Sequence, residues 1–103
     1  MKNVMDLQKM MKAAKEMQDR LQQELAALRV DGSSGGGMVS LVLDGHKALL
    51  SIRIEPEVAD KNEVEMLQDL IVAAFNDAAA KVDEAMAQKL GGLGGSLKIP
   101  GLF

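Results

Sequence analysis

The chain contains no cysteine, tryptophan or tyrosine, two prolines, and two aromatic residues, Phe75 and Phe103. The lack of cysteine removes disulfides, thiolate metal sites and cysteine nucleophiles together, and fits a reducing compartment with the cytoplasm as default. With so few aromatics the core must be built from Leu, Ile, Val, Met and Ala, a mixture that favours helix packing over an aromatic-rich β fold. The longest apolar run, residues 70–75, falls far short of the ~20 residues a membrane helix requires. Asp6 and Lys9 stand where a signal peptide needs an apolar segment, so neither export nor a membrane partner is expected. At 103 residues and 48% hydrophobic content the chain predicts one domain with a thin core. Burial against a partner subunit would complete it.

What is present is polarised. The formal charge is −3, which argues mildly against a nucleic-acid partner, but residues 1–15 hold Lys2, Lys9, Lys12 and Lys15 against Asp6 alone. Residues 55–90 hold nine acids against Lys61, Lys81 and Lys89. Such asymmetry bears on partners more than the total does.

From Asn3 to Leu28 there is neither Gly nor Pro, and Leu7, Met10, Ala14, Met17, Leu21 and Leu28 recur at steps of three and four until Glu24 interrupts, with Leu25 restoring the stripe. This predicts a long amphipathic helix. At 100° per residue Lys2, Lys9 and Arg20 fall opposite the stripe, with Lys12 and Lys15 on its flank. Val39, Leu41 and Leu43 then alternate with polar positions, as do Ala48, Leu50, Ile52 and Ile54. Asp44-Gly45 between them has the residues of a type I′ hairpin. "GSSGGG" reads as the loop joining a short strand at 29–31 to the next. The result is a three-stranded antiparallel meander with one apolar face.

Pro56 ends the last strand, and Asp60 with Glu63 resembles a capping box. A second long helix is predicted from about Lys61 to Leu90, stopping at Gly91-Gly92. Its stripe is Val64, Leu67, Ile71, Ala74, Phe75, Ala78, Val82, Ala85 and Met86, with Val72, Ala73, Ala79 and Ala80 outside it. One face is expected to meet the sheet. The alanines beside it permit close approach of another helix, either the first helix or a second copy of the chain. The candidate dimer seam is therefore Ala73, Ala74, Asn76, Asp77, Ala79 and Ala80. Asn76 and Asp77 either form a polar point on that seam or face water. Residues 1–90 make an α+β domain ordered helix, three strands, helix. Residues 91–103 read as a flexible Gly-rich tail whose Leu97, Ile99, Leu102 and Phe103 are available for docking.

A helix of about 39 Å is longer than strands of about 20–24 Å. One end must overhang, and if residues 21–28 are fixed by the turn into the first strand, the free end carries the four lysines. A symmetric homodimer would have two such basic arms.

Three segments, "LQKMMKAAKEMQDRLQQELAALRVDGSSGGGMVSLVLDG", "IRIEPE" and "EMLQDLIVAAFNDAAAKVDEA", together with the "IPGLF" ending, resemble the YbaB/EbfC family of nucleoid-associated proteins over nearly the whole chain. The resemblance implies a cytoplasmic, nucleoid-associated homodimer that binds double-stranded DNA through helical arms. Carried over by region and charge, it points to Lys2, Lys9, Lys12, Lys15 and Arg20, and to Lys81 and Lys89 in the acidic second helix. Without it, the same lysines read as a solvated helix face.

Other chemistry finds little footing. "GSSGGG" lacks the Lys-Ser/Thr pair and following helix of a phosphate loop. His46, the one histidine, has no metal-ligand partner at suitable spacing and reads as a solvent-facing turn residue. Glu63/Glu65 and Asp83/Glu84 do not face each other on a helix, and the serines lack a basic neighbour. No enzyme, cofactor or small-molecule substrate is expected. Met10 and Met17 lie on the apolar stripe and are expected to fill the core. The alternative to DNA binding is a protein-interaction module gripping another polypeptide between helical arms.

Overall fold

The computed structural model describes residues 2–94, with side chains from Met5 to Gly91. The docking expected of Leu97, Ile99, Leu102 and Phe103, the flexible tail from residue 95 on, and the side chain of Lys2 therefore lie outside the described residues. Helix α1 spans Lys2–Ala27, strands β1, β2 and β3 span Val30–Ser34, Val39–Leu43 and Leu49–Ile54, and helix α2 spans Val64–Gly94. The strands pair antiparallel in the order β1-β2-β3, which is the predicted α+β arrangement.

The core is one layer of α2 on the sheet. Val39, Leu41 and Leu43 point from β2 toward α2 and are buried with Ala74, Ala78 and Val82. Gly32 lies opposite Leu41 in the β1–β2 register and so faces the helix too. Helix and strand approach closely there, because a Cβ on Gly32 would stand 2.6 Å from the Ala78 backbone nitrogen. Ala74 and Ala78 thus serve contact with the chain's own sheet, which corrects the expectation that Ala74 belongs to a dimer seam: it is fully buried inside its own chain. Two polar contacts fix the register. Ser34 Oγ donates to the Leu70 carbonyl (2.5 Å), and the Ser33 N–H donates to the Asp77 carboxylate (3.0 Å).

Several local expectations are corrected. β1 runs to Ser34, so the first three residues of "GSSGGG" are strand and only Gly35–Gly37 turn, all at positive φ. The β2–β3 connection is no two-residue type I′ hairpin. Asp44 accepts the Lys47 N–H, its carboxylate accepts the N–H groups of His46 (2.8 Å) and Ala48 (3.0 Å), and Lys47, at φ 64°, is the residue in the left-handed region. These N–H groups, Ala48 first, hold the Asp44 carboxyl below its usual range. β3 accommodates one extra residue: the register slips between Val42 and Leu43 so that Leu49 faces Leu43 and Leu50 is left over. At α2, the Glu63 carbonyl accepts the Leu67 N–H, whereas Asp60 closes a separate turn onto the Asn62 N–H. The helix therefore starts at Val64, after Asp60 has spent its cap on the preceding turn. It also continues through Gly91 and Gly92, since glycine in a helix costs only about 1 kcal/mol.

Gly45 has a different task from the one its sequence context indicates. Its N–H donates to the Leu25 carbonyl (2.8 Å), and the Arg29 guanidinium donates to the Ala26 and Leu28 carbonyls, so the hairpin turn and one side chain satisfy the orphan carbonyls at the end of α1. A Cβ on Gly45 would stand 2.7 Å from the Leu25 carbonyl oxygen and 2.8 Å from its Cα. Gly45→Ala is therefore expected to loosen the root of α1 at a cost of about 1–3 kcal/mol. Hydrogen exchange at residues 21–28 checks this: unchanged protection there would remove Gly45 as the anchor.

Candidate functional site

Among the described residues, helix α1 touches the rest of the chain only near its C-terminal end, where Leu25 is its one buried side chain. Lys89 of α2 lies 3.8 Å from Glu24, so α2 leaves the sheet beside the last turns of α1. The molecule measures 73 × 24 × 17 Å. At 1.5 Å per residue, α2 from its start to Lys89 and α1 from Glu24 outward, laid end to end, span about 70 Å. α1 therefore continues outward along the long axis, antiparallel to α2, as a projecting helix.

The cations divide into two groups. Among the described residues Lys9, Lys12, Lys15 and Arg20, all exposed on the projecting helix, form no ion pair. The two cations of α2 are engaged, and so is Lys47 of the β2–β3 turn, whereas Lys61 and Arg53 form no ion pair among the described residues. Lys81 is 3.0 Å from Asp77, Lys89 meets Glu24, and Lys47 is 2.9 Å from Asp83. Asp77 is bound first by the Ser33 N–H and then by Lys81, and both hold its carboxyl below the ordinary range. Lys81 and Lys89 are thus partly neutralised by their own chain. The 77/81 pair was legible as an i,i+4 spacing; the Lys89–Glu24 and Lys47–Asp83 pairs join distant segments and left no local signal.

The apolar residues divide as well. Met10 and Met17, expected in the core, are 67% and 58% exposed, with Leu7 and Met11 also exposed. Among the described residues nothing covers their stripe, because α1 overhangs the sheet. On the sheet itself Ile52 lies opposite Leu41 and shares its face, yet α2 covers β1 and β2 and leaves Ile52 42% exposed. Leu70 and Asp77 hold one flank of α2 to the β1 edge; by helical spacing Val72, Phe75 and Ala79 lie on the other flank, toward β3. Val72 is 59% exposed, and Phe75 and Ala79 are half-buried. Ala73, Asn76 and Ala80 are exposed farther round the helix. Of the seam residues expected from sequence, Asp77 is bound within its own chain, and the exposed apolar flank of Val72 with Ile52 was missed. That flank is visible only once the helix is seen to cover two strands of three.

Residues 1–97 match the model of the YbaB/EbfC DNA-binding family. The chain belongs to that family. A nucleoid-associated protein of Pelotomaculum thermopropionicum is 46% identical over 101 residues, covering 95% of this chain and 96% of that protein. One from Syntrophobacter fumaroxidans is 47% identical over 91 residues, covering 88% of this chain and 83% of its own length. The crystal structure of an uncharacterized protein from Helicobacter pylori shares the fold, with a TM-score of 0.72 at 23% identity over 84% of this chain and 91% of that one. Within the YbaB/EbfC frame, no helix among the described residues is long and apolar enough to cross a membrane. Likewise no group of three His, Asp or Glu among them is placed to hold a metal ion.

Proposed function

We propose that the chain binds double-stranded DNA in the bacterial nucleoid, within the cytoplasm, as a homodimer whose projecting α1 helices engage phosphates with little sequence preference. One observation carries the reading: the overhanging helix presents a row of cations that are exposed and unpaired among the described residues, while Lys81 and Lys89 of α2 are tied to carboxylates. The family's description and the names of the relatives supply the class of partner. Lys9, Lys12, Lys15 and Arg20 are the contacts, with Lys2 extending the row. Lys81 and Lys89 contribute less. Phosphate contacts position a protein on the duplex and carry little base information. The scarcity of aromatics gives no platform for stacking on single-stranded bases.

The uncovered strip between α2 and β3 supports the dimer in this reading. Ile52, Val72, Phe75 and Ala79 form an apolar surface continuous with a thin core, and a second copy using the same surface would cover both. Ala73, Asn76 and Ala80 would lie at its rim.

Retardation of random-sequence duplex at two salt concentrations tests the mechanism. If Lys9, Lys12 and Lys15 on each of two helices neutralise six phosphates, they alone contribute about −5 to the log-log slope, and affinity falls at least roughly 10³-fold between 50 and 200 mM salt. A flat salt response would refute phosphate neutralisation. A second reading, in which α1 grips another polypeptide, is favoured by the exposed Leu7, Met10 and Met17 stripe. Absence of any shift at low salt would select it.

A further inference from the structure

The stripe on α1 poses a problem that DNA binding does not solve, because its cations lie mainly on the opposite side of the helix. Leu7, Met10, Met11 and Met17 are exposed along one face, and the same stripe ends in Leu25, buried at the root. We propose that residues 95–103 of the same chain lie along this stripe, so that Leu97, Ile99, Leu102 and Phe103 cover Leu7, Met10, Met11 and Met17.

Length, direction and composition support this occupant. The Lys89–Glu24 pair brings α2 alongside the C-terminal turns of α1, and the last five residues of α2 carry its end about 7 Å farther along the antiparallel α1. The nine residues beyond Gly94 reach up to about 30 Å when extended. The stripe from Leu21 back to Leu7 is about 21 Å long. A chain leaving Gly94 in the direction of α2 therefore has the length to follow α1 along the whole stripe. Its sequence, "GSLKIPGLF", holds four large apolar residues and one charge, Lys98. Leu97 and Ile99 share one side of an extended segment; Pro100-Gly101 permits a change of direction before Leu102 and Phe103.

Tethering favours the chain's own tail over one from a different molecule, since a short linker presents it at an effective concentration in the millimolar range. The consequence is functional. The tail would shield an apolar surface beside the cations, so the projecting helix meets DNA through its charged side and does not aggregate through its apolar one.

The absence of cysteine permits a clean test. A nitroxide attached to Lys98→Cys in the full chain, with ¹³C-methyl methionine labelling, reports proximity to each methionine. Strong broadening of Met10, Met11 and Met17, with Met66 at the far end of α2 unaffected, is the expected result. Truncation after Gly94 should shift the same three resonances and raise the fluorescence of a dye that binds exposed apolar surface. Broadening confined to samples in which the spin label and the isotope sit on different chains would assign the stripe to the partner's tail and overturn the proposal. Sharp signals throughout, or a truncation that leaves them unmoved, would overturn it as well.

Discussion

Gly32→Ala is expected to lower the stability of the folded chain by about 3 kcal/mol, at the upper end of what overpacking costs. The added methyl would stand 2.5 Å from the Ala78 Cβ and 2.6 Å from the Ala78 backbone nitrogen. Neither atom can turn aside, so α2 would have to lift from β1. The lift would pull on the Ser33–Asp77 and Ser34–Leu70 hydrogen bonds, which tie the same two elements, and would open the small core of Val39, Leu41, Leu43, Ala74, Ala78 and Val82. Against a total of about 5–15 kcal/mol the loss is large. At 4–8 °C per kcal/mol it corresponds to a fall in Tm of roughly 12–24 °C. Thermal melts at one fixed protein concentration measure it, because the proposed dimerisation would make Tm concentration-dependent. Gly91→Ala is the control. It sits in a helix with nothing within 4 Å of the added Cβ and is expected to raise stability by up to about 1 kcal/mol. A Gly32→Ala chain melting with the parent would show that the helix–strand contact is looser than its geometry.

Gly32 also marks where sequence reading stops. The two helices and the meander were legible because apolar residues recur at helical spacing on 7–28 and at alternate positions on 39–54, and those periods reflect burial on one face. Gly32 and Ala78 form one contact across a separation of 46 residues. Neither half reveals the other: next to Ser33, Ser34 and three further glycines, Gly32 looks like loop. Gly45 misleads similarly. Beside Asp44 it fits a tight turn, yet the left-handed conformation falls on Lys47, and glycine is needed for close approach to Leu25. The cations of α1 were identifiable from charge and helical phase. The unequal standing of Lys81 and Lys89 was only half legible, because Glu24 pairs with Lys89 through the fold. The overhang of α1 was legible from helix length against strand length, but periodicity records only which face is apolar, so Met10 and Met17 on the overhanging part still read as core.

Simultaneous change of Lys9, Lys12 and Lys15 to Glu is expected to abolish retardation of duplex DNA. In a dimer it removes six phosphate contacts and places six carboxylates where phosphates would lie. Six contacts correspond to about −5 of the log-log salt slope, so the variant should lose that share of the salt dependence together with the affinity those contacts supply at low salt. Repulsion adds to that loss. Because these side chains are exposed and make no ion pair among the described residues, the fold and the proposed dimer should survive, which circular dichroism and sedimentation check. Net charge alone would also weaken binding, so position must be separated from total. The matched variant changes Lys61, Lys81 and Lys89 to Glu: it carries the same formal charge, but two of its three sites lose only cations already held by Asp77 and Glu24. If α1 is the contact, the first triple loses binding while the second retains most of it. Equal weakening by both would mean that the duplex responds to the overall field, and an unaffected first triple would move the DNA surface off the projecting helix altogether.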